Sequence, residues 1–149
     1  MILQFAAAAV GTVAFALLFG IPKQYYLLCG LIGGGGWLLY SWLHGVGCST
    51  TEAVFWATVL VIVLSRFCAV WRRCPVTVFL IAGIFPLVPG AGIYWTAYYL
   101  VTEQTGLALS NGLAALKSAL AIVLGIIFVL AIPGKFFCVF SRHKPSEKI

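Results

Sequence analysis

Two prolines and two glycines interrupt the middle of a long apolar run. Residues 86–94 read PLVPGAGIY, and apolar residues flank them on both sides within 76–101. A helix over residues 76–101 is long enough to cross a bilayer core of roughly 30 Å. Proline has no amide hydrogen and clashes with the carbonyl four residues earlier, and glycine weakens a helix further. The sequence therefore predicts a membrane-spanning segment whose helix is broken near its centre.

A broken helix inside a membrane is informative about function. Non-helical backbone at that depth is tolerated only where it is buried in protein or lines a water-filled cavity. Broken spanning helices of secondary transporters present their unpaired backbone groups to solutes and ions. The interruption at 86–94 thus indicates either a solute site or a purely structural kink.

The composition is that of an integral membrane protein. The 149 residues are 63% hydrophobic and 8% charged, with a mean hydropathy of +1.12, whereas soluble domains carry about 25% charged residues. Nine Lys and Arg against three acids give a net charge of +6. These cations cluster at chain ends and in short connections, which is typical of membrane orientation signals rather than nucleic-acid binding. We expect one helical domain over 1–140 and a charged cytoplasmic tail over 141–149.

Hydropathy predicts an all-α, polytopic protein with five transmembrane helices. Ser110 and Asn111 precede the last of these spans, and we expect them to cap its first turn. The spans are predicted at residues 2–20, 25–43, 53–71, 76–101 (the interrupted one) and 112–132.

The basic residues orient these spans in the membrane. Lys23 lies in the first connection and Arg72 and Arg73 lie in the third, while Glu52 and Glu103 lie in the two connections without Lys or Arg. More basic residues follow the fifth span. The positive-inside bias then places the N-terminus outside and the C-terminus in the cytoplasm.

The second span is rich in glycine. Gly30 and Gly34 have the spacing of a helix-packing motif, and residues 33–36 are all glycine. We expect Gly30, Gly33 and Gly34 to pack against a neighbouring helix, with a hinge that faces the broken span as the alternative. Trp37 follows this run and either packs in the core or stacks on a substrate.

Three ionisable residues lie within or beside the predicted spans. Lys117 comes about five residues into the fifth span, where it either snorkels to the outer interface or acts as a counter-charge for a carboxylate substrate or for Glu103. Arg66 is expected to snorkel to the cytoplasmic interface. Glu103 closes the fourth span as a solvated end group or as a proton-titrating residue.

Residue patterns typical of enzymes and metal sites are missing from the sequence. Asp is absent, the three Glu and two His are scattered, and no phosphate-binding Gly-Lys-Ser/Thr motif occurs. The five cysteines form no Cys-x-x-Cys pair and suit small apolar filler. We expect no enzymatic activity, no cofactor and no metal.

The broken span resembles that of the threonine/serine exporter family (ThrE-type). The similarity extends over IFPLVPGAGIYWTAYYL at 84–100, and within it Pro86, Pro89, Gly90, Gly92 and Tyr94 carry the most specific part. The glycine-rich second span and the Ile-Pro pair at 132–133 add support. In length and span number the chain looks like the short second-component subunit of this family.

The resemblance implies export of small polar metabolites such as threonine, serine or a dicarboxylate, driven by the proton gradient. It also implies a bacterial plasma (inner) membrane location among membrane lipids, and a hetero-oligomer with a larger five-span subunit. An alternative is a non-transporting membrane scaffold or assembly factor.

A split helix offers free amides to a carboxylate at one half-helix N-terminus and free carbonyls to an ammonium at the other half. On this hypothesis Pro86 and Pro89 enforce the break, while Gly90 and Gly92 let the substrate approach the backbone. Tyr94 supplies a hydroxyl contact. Lys117 and Glu103 complete the set of candidate substrate-binding residues.

Overall fold

The computed structural model describes residues 2–132, and all the regular structure in this part of the chain is helical. The prediction of an all-α protein is confirmed. The predicted tail over 141–149 lies outside the described residues. Two 3₁₀ turns, Lys23–Tyr25 and Phe85–Leu87, accompany six α-helices: α1 (Ile2–Leu18), α2 (Tyr26–Gly45), α3 (Thr50–Arg72), α4 (Thr77–Ile84), α5 (Gly90–Val101) and α6 (Thr105–Leu130).

The helices differ in their capacity to span a bilayer. Within the described residues, three helical stretches are long and apolar enough by length and composition: Lys23–Gly45, Thr50–Arg72 and Thr105–Leu130. The helical pair Thr77–Leu87 and Gly90–Val101 passes the same test jointly and is bent by 50°, as in a broken span or a re-entrant loop. Helix α1 is apolar and 17 residues long, at the lower limit for a span. The chain is thus a multi-pass membrane protein, and the count of five spans stays a prediction.

Helix α2 occupies the centre of the bundle because its glycines admit close neighbours. A Cβ on Gly30 would lie 3.1 Å from Val13 of α1, and a Cβ on Gly34 would lie 2.6 Å from the ring of Phe5. Gly33 packs in the same way on the side chain of Thr12. In lipid, where apolar tails surround every helix, such close backbone approach supplies much of the association energy.

The other side of α2 holds the first half of the bent pair. Gly36 of α2 packs on Val61 of α3, and a Cβ on Gly83 of α4 would lie 2.8 Å from Ile32 of α2. Phe79 of α4 is fully buried in this core. Helix α4 is therefore enclosed between α2 and α3. This packing positions the C-terminal end of α4, from which the break begins.

Helix α3 begins at a capping box. The Ser49 hydroxyl accepts a hydrogen bond from the Glu52 amide at 3.3 Å, and the Glu52 carboxylate accepts one from the Ser49 amide at 3.1 Å. Each residue thus satisfies an amide that the helix leaves without a partner.

We expect Ser49→Ala to lower the free energy of unfolding by about 1 kcal/mol, because the Glu52 amide loses its acceptor. Ser49→Thr keeps the hydroxyl and is expected to remain close to the wild type. Thermal unfolding of the detergent-solubilised chain, followed by circular dichroism, measures both. Equal losses in the two variants would show that the cap does not stabilise α3.

Helix α6 begins earlier than the sequence indicates. Hydropathy predicts the fifth span from residue 112, but the helix starts at Thr105. Asn111 does not cap it: its side-chain amide donates to the Leu107 carbonyl at 2.9 Å inside the helix. An Asn that bonds back by one turn can sit within a helix without leaving its amide unpaired. As a consequence, residues of α6 lie farther from its start than predicted.

Candidate functional site

The break between α4 and α5 is a short extended link. The 3₁₀ turn Phe85–Leu87 continues α4, and Val88 then adopts an extended conformation (φ −62°, ψ 130°) before α5 begins at Gly90. Proline occupies the second position of the turn and the residue before α5, so neither can donate a backbone hydrogen bond. Proline chemistry therefore accounts for the position of the break.

The backbone around the break is only partly paired. The Val88 amide donates to the Phe85 carbonyl at 3.2 Å, and the Gly90 amide donates to the Val88 carbonyl at 2.7 Å. The first α-helical bond of α5 joins the Ile93 amide to the Pro89 carbonyl at 3.1 Å. The amides of Ala91 and Gly92 precede that bond, in the first turn, where helix amides lack intrahelical partners.

Packing on α1 and α2 holds the turn before the break. The ring of Phe85 stacks on the ring of Phe15 from α1, with 3.2 Å between the centroids and 28° between the planes. Leu87 is buried and lies next to Gly36 of α2. The break is thus held against the body of the bundle by one side chain on each side of Pro86.

A cavity of about 220 Å³ lies at the break. It is smaller than typical pockets for drug-sized ligands, which have roughly 300–1,000 Å³, and suits a small metabolite. Four helices and the link contribute to it. Its lining consists of Trp37, Tyr40, Thr50, Val54, residues 86–91 and Ser118.

The side chains that face the break combine aromatic surface with hydroxyl groups. Trp37 and Tyr40 lie one helical turn apart on α2, with 5.2 Å between their ring centroids, and both are half-buried. Thr50 of α3 and Ser118 of α6 add hydroxyls, and Ser118 is buried and donates to the Ala114 carbonyl at 3.1 Å. Hydroxyls and unpaired backbone amides can bind a polar solute, while the rings exclude water from it.

The structure brings three of the predicted substrate-binding residues to this cavity. Pro86, Pro89 and Gly90 line it, and a Cβ on Gly90 would meet nothing within 4 Å. Gly92 does not line it: a Cβ there would lie 3.0 Å from Ala115, so this glycine sits where α5 packs on α6. Tyr94 also lies outside the lining, exposed, with its ring edge-on to Trp95.

The two charged residues predicted to bind substrate, Glu103 and Lys117, lie away from the cavity as well. Glu103 occupies the turn between α5 and α6 with a positive φ of 58° and is exposed. Lys117 is exposed on α6, where it is the thirteenth of 26 residues and not, as predicted, about five residues into the span. On insertion scales an unpaired lysine at a helix centre costs roughly 2.5–3.5 kcal/mol.

Arg66 links α3 to the end of α6. Its guanidinium Nη1 donates to the carbonyls of Val129 and Ile132 at 2.6 and 2.8 Å. These carbonyls lie in the last turn of α6 and just after it, at the end of the helix that carries negative partial charge. The Val129 carbonyl also accepts a hydrogen bond from the Ile132 amide at 3.2 Å. Arg66 therefore faces protein and caps a neighbouring helix.

Most of the cavity wall has no strong signal in the sequence. The aromatic pattern favours an interfacial position for Tyr40, and Ser118 has no distinguishing neighbours, although the three-residue spacing of Trp37 and Tyr40 puts both on one face of α2. Convergence of α2, α3 and α6 on one point is a tertiary feature without a local pattern. Within the described residues, no group of three or more His, Cys, Asp or Glu side chains is placed to hold a metal ion.

The comparison with known proteins places this bundle in a transporter family. No solved structure is significantly similar to the chain. A family model described as "Threonine/Serine exporter, ThrE" matches residues 4–132, which includes all six helices apart from the first residues of α1. Membership in a transporter family indicates a role in membrane transport rather than catalysis. The chain belongs to the threonine/serine exporter family, ThrE.

Proposed function

We propose that this chain is a subunit of a secondary exporter of small polar metabolites, and that the cavity at the break is its solute site. Threonine, serine and related amino or dicarboxylic acids are the proposed substrates. The observation that carries this proposal is the convergence of Trp37, Tyr40 and Ser118 on the interrupted backbone at Pro86–Gly90. Family membership supports the transport role.

The chemistry of the cavity favours a solute with a carboxylate. The first turn of α5 points its unpaired amides and the positive end of its dipole toward the link, as helix N-termini do when they bind anions. The end of the preceding turn offers carbonyls, which can accept bonds from an ammonium group. A zwitterionic amino acid uses both ends of the break, and a hydroxyl on its side chain matches Thr50 and Ser118.

We further propose that export is proton-coupled and needs a larger five-span subunit of the same family in the bacterial inner membrane. Helix α5 supports the need for a second chain: none of its twelve residues is buried, and its aromatic residues Tyr94, Trp95 and Tyr98 are exposed. On this proposal Tyr94 contacts the solute along a path that α5 forms together with that second chain.

Gly90→Leu tests the proposed site. The new side chain occupies the cavity without a backbone clash, because the Cβ position is open. In cells that lack the native gene and carry the variant with its partner, we expect efflux of preloaded labelled threonine, serine or succinate to fall by about tenfold or more, equivalent to about 1.4 kcal/mol. Dissipation of the proton gradient is expected to lower wild-type efflux similarly.

Gly106→Leu is the matched control. Its Cβ position is equally open, but Gly106 lies at the start of α6 and outside the cavity. This variant is expected to export at the wild-type rate. Unchanged efflux by Gly90→Leu, with both variants present in the membrane in equal amounts, would remove the cavity as the solute site and favour the scaffold alternative.

A further inference from the structure

A row of exposed side chains on α6 has the spacing of a helix-packing seam. Leu113, Lys117, Leu120, Leu124 and Ile127 follow one another at steps of four and three residues, the repeat by which one helix packs along another. Nothing in the described part of the chain covers these apolar residues, which are between 48% and 59% exposed, and Lys117 is exposed as well. We call this row the Lys117 seam.

The lysine of this seam lies at the middle of α6, which is long and apolar enough to span a bilayer. Its neighbour Ser118 lines the cavity at the break, and the break divides the bent pair into two nearly equal halves. Lys117 is also about 18 Å along the axis from Thr105, the first residue of α6, and as far from the other end. A lysine side chain is too short to reach either interface from there, so its charge needs a counter-charge within the membrane.

Within residues 2–132, which the structure describes, no acidic side chain is placed beside Lys117. The acidic residues of the chain are Glu52, Glu103 and Glu147. Glu52 is engaged in the cap of α3, and Glu103 lies in the turn before α6, fourteen positions from Lys117. Glu147 lies outside the described residues and is flanked in the sequence by Lys144 and Lys148.

A second copy of the chain is also a poor partner for this seam. Two copies packed in parallel would bring Lys117 against Lys117, and like charges in an apolar interface repel strongly. An antiparallel copy would need the membrane orientation opposite to the one that the positive-inside bias predicts. A lysine at one core position of a seam selects the partner instead of adding stability.

We propose that the Lys117 seam docks a spanning helix of a different membrane protein, and that this helix carries an Asp or Glu that pairs with Lys117. The leucines supply the packing surface, and the buried ion pair fixes the partner and its register. This proposal rests on the membrane location of α6 and not on export, so a failed Gly90→Leu test leaves it standing.

The test uses a photo-reactive benzoylphenylalanine at Leu120 of the full-length chain in membranes of its native host. We expect irradiation to join it to a spanning helix of another protein, with an Asp or Glu within about one turn of the adduct. Lys117→Glu is expected to reduce the adduct by about tenfold or more, and the reciprocal carboxylate→Lys change in the partner to restore it.

Two controls distinguish specific docking at the Lys117 seam from cross-linking at any exposed side chain. The same photo-reactive residue at Leu27 of α2, which is 75% exposed, is expected to give lipid adducts alone. Lys117→Met removes the charge without adding a new one, and should also lower the yield if Lys117→Glu fails to insert. The proposal is overturned if the residue at 120 cross-links only to lipid, to a second copy or to a helix free of carboxylates. It is also overturned if neither Lys117→Glu nor Lys117→Met lowers the yield of the adduct.

Discussion

Gly33→Leu is expected to separate α1 from α2 and to give the largest loss of stability among the substitutions considered. A Cβ at Gly33 would overlap the side chain of Thr12, with Cγ2 only 2.8 Å away. Thr12 cannot yield, because it is fully buried and its hydroxyl donates to the Ala8 carbonyl at 2.7 Å. Overpacking at such a contact costs about 3 kcal/mol. Thermal unfolding in detergent and the yield of monodisperse protein measure the loss.

The neighbouring glycine provides a matched control. Gly35 lies two residues away in the same helix, and a Cβ there would meet nothing within 4 Å. Gly35→Leu makes the same change in helix propensity, which favours leucine over glycine. Because its side chain meets no neighbour, this variant is expected to unfold at or slightly above the wild-type temperature. Similar losses in both variants would mean that the glycine run acts through the backbone of α2 and not through contact with α1.

Arg66→Met is expected to release the end of α6 from α3. The substitution keeps an unbranched apolar side chain but removes the donor that serves the carbonyls of Val129 and Ile132. Hydrogen bonds to a charged group contribute about 1.5–3 kcal/mol. After the substitution the Val129 carbonyl keeps its bond from the Ile132 amide, but both carbonyls lose the charged donor. We expect a lower unfolding temperature and faster amide exchange in the last turns of α6.

Arg72→Met is the control for the loss of a positive charge. Arg72 ends α3 in an exposed position, with its guanidinium 4.7 Å from the ring of Trp71. Removal of an exposed cation–π contact costs less, about 0.5–1 kcal/mol. If the two arginine variants lose the same stability and exchange alike, the cap on α6 contributes nothing beyond net charge.

Several features of this protein follow from its sequence alone. The composition determines the helical membrane class, because 8% charged residues cannot cover a soluble surface. The structure interrupts the helix between Leu87 and Gly90, where the absence of proline amides and the flexibility of glycine predict an interruption. Local chemistry suffices for both features, since neither depends on which helix is the neighbour.

Other features depend on contacts that the sequence does not encode locally. Ser110 and Asn111 have the appearance of a helix start, but Asn111 bonds back to Leu107 and the helix runs through them. The position of Arg66 near a span end predicts that it reaches for solvent, whereas it caps α6, because α3 and α6 lie side by side. The wall of the cavity likewise arises from packing among four helices.

The two halves of the bent pair are secured very differently. Helix α4 is enclosed by α2 and α3, with Phe79 fully buried, whereas none of the twelve residues of α5 is buried within the described chain. Segments with few buried contacts open at a lower free energy than the core around them. We therefore expect α5 to open at a lower free energy than α4, with the link at Val88 and Pro89 as the boundary between the two halves.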